Sequence, residues 1–243
     1  MMPDGSSINR NDLSIYDTEA ERWWSDETRW VRTLKNMVPG RLGYFERYAQ
    51  WFGAEVLDLG CAGGFMAEAI AANGGHVTGI DPAAQAIAAA KEHAASIGLD
   101  ITYDVGVGEA LPYANGAFDI VVCVDVLEHV EDLGKVLSEV ARVLKPGGLF
   151  LFDTINRSPL ARFAVITVAE DILGLLPKGT HDPDMFIKPS ELRGALADTG
   201  FDVGPLTGLG PRGINRRGDF TFGRLPGTAI IYMGHAIKPT GDM

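Results

Sequence analysis

Two short apolar runs, each associated with an aspartate, enclose a glycine-rich turn in the first third of the chain. The first run, residues 55–59, holds Asp58 and leads directly into Gly60; the second, residues 76–80, is followed by Asp81. The residues between them have the length and composition of a short helix, so the segment predicts strand, turn, helix and strand. Glycines allow a ligand to approach the backbone closely, and an acid after the second strand can accept hydrogen bonds from ribose hydroxyls. The segment therefore predicts a site for a ligand that carries a nucleoside.

Similar apolar runs alternate with helical stretches along most of the chain. The runs cover residues 56–59, 77–80, 101–105, 120–124 and 149–152, and the stretches between them include 65–72, 82–95 and 133–144. This alternation predicts a parallel sheet covered on both faces, which a last apolar run at 228–237 is expected to close. Before the first run, residues 17–37 and the segment after Pro39-Gly40 are predicted to form two helices. The length of 243 residues, 46% of them hydrophobic, suits one α/β domain with additions.

The acidic charge is concentrated in the middle of the chain. The formal net charge is −11; residues 54–156 carry 15 acids and 4 bases, whereas 1–53 and 157–243 are nearly neutral. An acidic core does not attract a phosphate backbone, so nucleic acid is excluded as a partner, and the flanks suit an uncharged or lipidic substrate. The sequence has only two cysteines, which predicts a cytoplasmic protein without a disulfide framework. Residues 1–11 are polar, so no signal peptide is expected.

The glycine turn distinguishes between two kinds of nucleoside ligand. A dinucleotide fingerprint has the pattern G-x-G-x-x-G, which seats a pyrophosphate at a helix N-terminus. The corresponding positions here are Gly60, Ala62 and Phe65, so only the first glycine is present. An acid two residues before the first glycine, followed by G-x-x-G-G, is instead typical of S-adenosylmethionine methyltransferases. That cofactor has no phosphate, and its ammonium group favours a nearby acid such as Asp58. The turn therefore predicts S-adenosylmethionine as the cofactor.

Ten segments spread over residues 16–195 carry a more specific signal. They are Tyr16-Asp17, Trp23-Trp24, Arg41-Leu42, Asp58–Gly64, Asp81, Leu127–Val130, Lys145–Gly148, Asn156-Arg157, Pro177–Asp182 and Phe186–Leu192. Together they resemble the ubiquinone-biosynthesis O-methyltransferase family, which methylates polyprenyl catechols and related phenols. The last two segments are the most family-specific, whereas all class I methyltransferases share the glycine turn.

The resemblance implies a fold and a division of the chain. The fold is the Rossmann-like, α/β fold of class I methyltransferases, with a seven-stranded, mostly parallel sheet and helices on both faces. Residues 1–53 are expected to form a helical cap, and 54–156 the S-adenosylmethionine-binding core. Residues 157–243 are expected to supply a substrate-side insertion and the last strands of the same domain.

The resemblance also implies cofactor contacts for Arg41, Asp58, Gly60, Asp81, Gly108, Glu109 and Val124. Arg41 is expected to pair with the cofactor carboxylate, and Gly60 to leave room for the methionine part. Asp81 is expected to bind the ribose, and Val124 to offer backbone groups. Structural alternatives stay open, with Arg41 as a surface helix charge, Gly60 as a simple turn residue and Val124 as core.

Two positions depart from the family pattern. Many related enzymes carry an acid where Val107 stands, so adenine is expected to be held by backbone groups near Gly108 and Glu109. Ala62 stands where the family usually has glycine. Because alanine is small, this substitution is expected to cause a slight adjustment without loss of binding.

Asp125, Glu128 and His129 form a candidate metal site. Spacings of three and four residues place them on one face of a helical turn. Two carboxylates and an imidazole can hold Mg²⁺, Mn²⁺ or Zn²⁺, and the family pattern places a metal here, with Asp125 replacing its usual glutamate. The alternative is a site without metal, because Leu-Glu-His occurs widely after the fourth strand of metal-free methyltransferases.

Transfer of a methyl group to a phenol requires that the phenol lose its proton, and an unperturbed phenol has a pKa of about 10. A bound cation or a nearby histidine would lower this cost. His129 and His181 are the candidate bases. His181 has an alternative role as the polar cap of a loop.

Two segments in the last third are expected to set the substrate. Residues 160–176 are mostly apolar with internal charges, so they predict a pocket wall, an interfacial helix in peripheral contact with a membrane, or a plain packing helix. Residues 204–227 hold seven glycines, three prolines and four arginines, and are predicted to be a long mobile connection that shapes the pocket.

The leading hypothesis is S-adenosylmethionine-dependent O-methylation of a phenol or catechol, with a polyprenyl quinone precursor as the favoured acceptor. The first alternative is a methyltransferase for another small metabolite, such as a natural-product hydroxyl or amine. The second is a scaffold that binds the cofactor without catalysis. A scaffold would never form S-adenosylhomocysteine with any acceptor.

Overall fold

A computed structural model of the chain describes residues 11–240, so the polar start at 1–10, on which the absence of a signal peptide was predicted, lies outside the described residues. The strands in the described part are β1 (Glu55–Leu59), β2 (His76–Asp81), β3 (Ile101–Val105), β4 (Phe118–Cys123), β5 (Leu144–Ile155), β6 (Asp202–Val203), β7 (Thr207–Ile214), β8 (Phe220–Leu225) and β9 (Ile231–Ile237). The helices are α1 (Ile15–Thr18), α2 (Arg29–Phe45), α3 (Phe65–Ala71), α4 (Ala84–Ser96), α5 (Leu133–Val143), α6 (Pro159–Arg162) and α7 (Pro189–Asp198). A 3₁₀ turn, Ala20–Arg22, follows α1, and a π-helix, Phe163–Ile172, continues α6.

The first five strands form the parallel half of one sheet, in the order β3-β2-β1-β4-β5. β1 lies between β2 and β4, so that Asp58 is level with Gly79 on one side and Val122 on the other. The order of the strands along the chain therefore reverses beside β1, and in open α/β sheets this position forms a ligand-binding crevice at the C-terminal ends of the strands. The predicted parallel sheet is confirmed.

The antiparallel half contains more strand segments than the seven-stranded pattern predicts. β9 runs antiparallel to β5, and both β6 and β7 pair with β9 on its other side. β6 and β7 thus occupy one strand position that is interrupted at residues 204–206, where Pro205 has no N–H to donate. The described residues hold nine strand segments because of this interruption and because β8 is added at the edge.

Residues 204–227 are not the mobile connection that their glycines and prolines predict. Most of them form the β7–β8 hairpin, which packs against α2. An ion pair fastens the end of this hairpin to the helix, with Arg32 Nε donating to Asp219 Oδ2 at 3.0 Å. The prediction failed because glycine suits close packing as well as loops. A Cβ on Gly210 would lie only 2.4 Å from the Leu225 side chain.

The predicted helix over residues 17–37 is divided, and the break expected at Pro39-Gly40 does not occur. Between the 3₁₀ turn and α2, Asp26 has a φ of +57°, which a right-handed helix cannot include. α2 then continues through Pro39. Gly40 serves packing, because a Cβ there would lie 2.7 Å from the Phe222 carbonyl oxygen of β8.

The sheet separates two hydrophobic clusters. Alternate residues of β1 point to opposite faces, so Val56 joins one cluster and Leu57 and Leu59 join the other. The first cluster lies under α2, α3 and α4, and the second under α5 and α7. The helices on both faces agree with the predicted fold class, and they bring the N-terminal segment to the same face as Asp58.

Candidate active site

A cavity of about 760 Å³ lies at the C-terminal ends of β1, β2 and β4, beside the reversal of strand order. Every residue predicted to contact the cofactor lines it: Arg41, Asp58, Gly60, Asp81, Gly108, Glu109 and Val124. The fold therefore brings these residues together from α2, three strand ends and the loop after β3. Their individual contacts with the cofactor stay predictions.

Asp58 presents a buried carboxylate to this cavity. The residue is fully buried, and neither carboxylate oxygen has a hydrogen-bond partner of good geometry among the described residues. Burial raises the pKa of Asp58 to about 7, although the nearby Ala67 N–H and the Arg41 charge oppose the shift. A buried carboxylate without a partner is costly, so this position fits a cationic ligand group such as the ammonium group of S-adenosylmethionine.

The glycine turn is shaped by close contacts and positive φ angles. Gly60 has a φ of +76°, and a Cβ there would lie 2.1 Å from the Val126 side chain. A Cβ on Gly63 would meet the ring of Trp23 at 2.1 Å. Ala62 has a φ of +43°, a left-handed conformation that costs an L-residue about 1–2 kcal/mol. The adjustment expected for alanine at this position therefore includes backbone strain.

Asp81 connects the glycine turn to the start of α4. Its Oδ2 accepts from the Ala62 N–H at 2.9 Å, and its Oδ1 from the Ala83 N–H at 2.8 Å. Burial raises the pKa of Asp81, and the two N–H groups act against that shift. Each carboxylate oxygen keeps a further lone pair, so these two bonds leave Asp81 able to accept from ribose hydroxyls.

The loop after β3 supplies Gly108 and Glu109. The Leu111 N–H donates to Glu139 Oε2 at 2.8 Å, which ties the end of this loop to α5. Val107 is 46% exposed and lines the cavity beside Gly108. The loop therefore borders the cavity, and its contact with adenine stays a prediction.

Arg41 is buried beside the cavity and pairs with two acids. Its Nε donates to Asp153 Oδ2 at 2.6 Å, and its Nη2 lies 2.5 Å from Asp125 Oδ2. Burial acts to lower the pKa of Arg41, but the two carboxylates outweigh it and raise the pKa. Because Arg41 is only 2% exposed, its interpretation as a surface charge is wrong. Its predicted contact with the cofactor carboxylate must coexist with these two ion pairs.

One member of the predicted metal site, Asp125, pairs with Arg41 in the structure. Asp125 has a φ of +54°, so the segment does not form the regular helical turn that the spacing requires, and its carboxylate pairs with Arg41. Instead, one potential ligand atom from each of Glu128, His129 and His181 lies within 4.8 Å of the others. The structure therefore groups His181, and not Asp125, with Glu128 and His129.

Two members of this cluster, Glu128 and His129, have strongly shifted pKa values. Burial raises the pKa of Glu128 to about 8, and burial together with His181 lowers the pKa of His129 to about 3. Glu128 Oε2 accepts from the Thr154 hydroxyl at 2.7 Å. Glu128 Oε1 and His129 Nε2 are buried without a partner among the described residues. A buried carboxyl oxygen and a buried imidazole nitrogen beside a second imidazole suit a divalent cation, which would replace the proton of Glu128.

The N-terminal segment closes one side of the cavity. Leu13, Ser14, Tyr16, Asp17 and Trp23 line the cavity. Trp24 Nε1 donates to the Gly63 carbonyl at 3.0 Å, and its ring stacks on His93 with centroids 3.6 Å apart. The segment is therefore docked on the glycine turn and on α4.

Comparison with known proteins identifies the family. Residues 57–152 match the family described as "Methyltransferase domain". The chain is 36% identical to the ubiquinone biosynthesis O-methyltransferase of Cronobacter sakazakii, over 98% of this chain and 97% of that protein. It is 37% identical to the protein of the same name from Escherichia coli (strain ATCC 8739), over 96% of each.

The chain belongs to the ubiquinone biosynthesis O-methyltransferase family. It is an S-adenosylmethionine-dependent methyltransferase. A solved methyltransferase structure from Thermotoga maritima, titled as S-adenosylmethionine-dependent and a possible histamine N-methyltransferase, has a TM-score of 0.65 at 17% identity. It covers 92% of this chain and 99% of that chain, which shows the shared fold.

Three residues of this family member were missed in the sequence. Asp153 ends an apolar run at the end of β5, which is the same signal that identified Asp58 and Asp81. Glu170 stands out as an acid inside an apolar segment. Asn11 has no comparable signal, because its partner His129 lies 118 positions away. The sequence therefore contained a usable indication for two of the three.

Proposed function

We propose that the chain transfers the methyl group of S-adenosylmethionine to a phenolic oxygen of a quinone precursor, with a polyprenyl catechol as the favoured acceptor. The observation that carries the proposal is that Asp58 and His129 line the same cavity. One end has an unpaired carboxylate for the donor, and the other has a buried imidazole nitrogen for the acceptor. The names of the near-full-length relatives support the same reaction.

At the donor end, Asp58 would hold the ammonium group and Asp81 the ribose. Gly60 would let the methionine part approach the backbone, and the contact with Val126 leaves no space for a side chain at this position. When bound, S-adenosylmethionine supplies an electrophilic methyl group on a sulfonium. The role of the protein is to hold donor and acceptor in line and to exclude water, and such positioning supplies much of the rate.

At the acceptor end, the phenolic proton must be removed. Burial and the neighbouring His181 lower the pKa of His129, so in the empty cavity it is a weaker base than an ordinary histidine. We propose that His129 acts together with Glu128 and His181, the neighbours with which it converges.

The same three residues would hold a divalent cation such as Mg²⁺, Mn²⁺ or Zn²⁺. Glu128 Oε1 and His129 Nε2 fit this role, because both are buried without a partner among residues 11–240. A cation there would favour the phenolate over the phenol. Activity that survives exhaustive EDTA treatment, in protein from which no metal co-purifies, would exclude this part of the proposal.

We also propose that residues 160–176 contact the surface of a bilayer. Leu160, Phe163 and Ile172 are each more than half exposed, although they are large and apolar. In the described part of the chain, every helix is too short or too polar to cross a membrane. Liposome co-sedimentation of the intact chain and of a 160–176 deletion tests this contact, and equal binding by both would exclude it.

The methyl transfer itself is tested by mass spectrometry with labelled S-adenosylmethionine and a panel of catechol and polyprenyl-phenol acceptors. The expected result is a singly methylated acceptor together with S-adenosylhomocysteine. Methylation of amines but of no phenol would support the alternative of another small-metabolite methyltransferase. Cofactor binding without any S-adenosylhomocysteine would indicate a scaffold.

A further inference from the structure

The loop after β3 borders the cofactor cavity with backbone N–H groups that have no protein partner. Gly108 and Glu109 line the cavity, and among residues 11–240 neither of their N–H groups donates to another protein atom. Gly108 is a buried residue. Because buried backbone N–H groups are nearly always paired in native proteins, this part of the loop suits a ligand that accepts hydrogen bonds.

The loop has few backbone bonds of its own to fix its position. At its start, the Gly106 N–H donates to the Asp81 carbonyl oxygen at 3.1 Å. In the described chain its turn is closed by one backbone bond, from the Ala110 N–H to the Val107 carbonyl oxygen at 3.3 Å. Pro112, further along, has no N–H to donate. The far end of the loop therefore depends on support from another element.

An ion pair on α5 supplies this support. Glu139 Oε2 accepts from the Leu111 N–H at 2.8 Å, and Arg142 Nη2 donates to the Leu111 carbonyl oxygen at 2.9 Å. The two side chains also bind each other twice, since Arg142 Nε and Nη2 lie 2.7 and 2.8 Å from the two carboxylate oxygens of Glu139. A bidentate, charge-assisted pair has a defined orientation, so both backbone groups of Leu111 are held in place.

Arg142 also holds the chain that follows. Its Nη1 donates to the Tyr113 carbonyl oxygen at 2.7 Å and to Asn115 Oδ1 at 3.0 Å. Lysine cannot reproduce this pattern, because only the planar guanidinium has five donors in a fixed fork. Earlier on α5, Val136 packs against Gly108, where a Cβ would lie 3.3 Å from the valine side chain. The helix therefore supports the loop from its turn to its end.

We propose that Glu139 and Arg142 are positioning residues for cofactor specificity, which hold the loop so that its free N–H groups donate to N1 of adenine. This inference rests on the proposed function, in which S-adenosylmethionine occupies the cavity, with its adenine at this loop. Neither side chain lines the cavity, so both act through the loop. A site that hydrogen-bonds a ligand atom rejects an analogue in which that atom has lost its acceptor.

The experiment compares two ligands that differ only in the base, S-adenosylhomocysteine and S-inosylhomocysteine. In inosine N1 carries a proton and cannot accept. Isothermal titration of the full chain gives both Kd values, and the wild type is expected to bind the adenosyl ligand about tenfold more tightly or better. Arg142→Lys keeps the charge, and Glu139→Ala keeps a good helix former. Each variant is expected to weaken binding of the adenosyl ligand about tenfold and to change the inosyl Kd little, so the preference decreases.

Ser138→Gly is the matched control. Ser138 is exposed on α5 next to Glu139, and glycine weakens the helix without removing a member of the ion pair. This variant is expected to be less stable than the wild type, with an unchanged ratio of the two Kd values. Kinetics provide a second readout. In Arg142→Lys and Glu139→Ala, KM for S-adenosylmethionine should rise, while kcat for a catechol at saturating cofactor stays within about threefold of the wild type.

A wild type that binds both ligands equally would overturn the proposal, and so would variants in which both ligands weaken by the same factor. The two side chains are 30% and 20% exposed, and either variant decides the question if the other does not fold. If the wild type prefers the adenosyl ligand but methylates no phenol, the proposed function fails. The ratio of the Kd values then still decides whether Glu139 and Arg142 set the specificity, because it does not involve an acceptor.

Discussion

The Nε of Arg41 lies 2.6 Å from Oδ2 of Asp153, which joins α2 directly to the end of β5 beside the cofactor cavity. The side chains are 3% and 0% exposed. The other carboxylate oxygen of Asp153 accepts from the Asp125 N–H at 2.8 Å, and the Asp125 side chain returns to Arg41. Three charged groups thus fasten α2 to the sheet beside the cavity.

Removal of Arg41 is expected to destabilise the fold strongly. Arg41→Met leaves the buried Asp153 carboxylate without its cation, and loss of one partner from a buried pair costs about 3–5 kcal/mol. Chemical denaturation at pH 7 measures this loss. In the double variant Arg41→Met/Asp153→Asn, the uncompensated charge of the fully buried Asp153 is absent, and the acceptor for the Asp125 N–H is kept. The double variant is therefore expected to be more stable than Arg41→Met alone, and equal or lower stability would contradict the account.

The ionisation of Asp58 is expected to destabilise the empty protein as the pH rises. Burial raises its pKa to about 7 from an ordinary value of 3.8, so the folded state keeps the proton between these values while the unfolded state loses it. Stability from this group is therefore fully present below pH 4 and decreases as the pH rises to 7. The total is about 4 kcal/mol.

Asp58→Asn is expected to remove this decrease and to weaken cofactor binding. Its free energy of unfolding, relative to the wild type, should rise by several kcal/mol between pH 4 and pH 8. Its Kd for S-adenosylmethionine should increase about 10- to 100-fold, since a charge-assisted hydrogen bond contributes roughly 1.5–3 kcal/mol. Urea melts and calorimetry provide these values, with Asp100→Asn, at an exposed aspartate, as the control. A stability difference that stays constant with pH would show that Asp58 is ionised throughout.

Ala62→Gly is expected to stabilise the protein. Ala62 has a φ of +43°, and glycine adopts this region without the steric cost of about 1–2 kcal/mol, part of which is offset by the greater freedom of glycine in the unfolded chain. The net gain should be about 1 kcal/mol, with cofactor affinity retained because Asp81 still accepts from the same backbone N–H. Ala69→Gly, within α3, is the control and should lose about 1 kcal/mol. A loss of stability in Ala62→Gly would mean that the alanine side chain contributes more by packing than its φ costs.

The affinity for a divalent cation is expected to distinguish Glu128 from Asp125, although the sequence spacing groups both carboxylates in one metal site. Glu128→Gln is expected to lower the affinity for Zn²⁺ or Mn²⁺ at least tenfold, because it removes a proposed ligand. Asp125→Asn should change that affinity much less, since the Asp125 carboxylate is directed to Arg41. Isothermal titration with each metal alone gives both values. A larger loss of affinity in Asp125→Asn than in Glu128→Gln would instead support the metal site of Asp125, Glu128 and His129 that the sequence spacing predicts.

The parallel strands and the convergence of the predicted cofactor residues on one cavity were predictable because their signals are local. An apolar run that ends in an acid marks the C-terminal end of a strand, and the ends of parallel strands meet at one edge of the sheet. Asp58 and Asp81 were found in this way, and Asp153 carries the same signal. The structure places all three within one half of the sheet.

The cluster of Glu128, His129 and His181 at the proposed acceptor end was only partly predictable, because its members are distant from one another in sequence. Glu128 and His129 are neighbours, but His181 comes from a loop about fifty positions later. The spacing of Asp125, Glu128 and His129 also gives no sign that Asp125 has a positive φ. The β7–β8 hairpin was missed for a different reason, since its glycines permit close packing yet have the composition of a loop. None of residues 204–227 lines the cavity directly, but their hairpin packs against α2, which does, so the expectation that they shape the pocket stays a prediction.

The central claim, methyl transfer to a phenolic oxygen, is tested most directly with methyl-¹³C-labelled S-adenosylmethionine and a polyprenyl catechol. The ¹³C shift of the product methyl group identifies the atom to which it is attached. The account predicts an O-methyl signal that appears at the same rate as S-adenosylhomocysteine and is strongly reduced in Asp58→Asn. A methyl group on carbon or nitrogen, or cofactor binding with no labelled product, would contradict it.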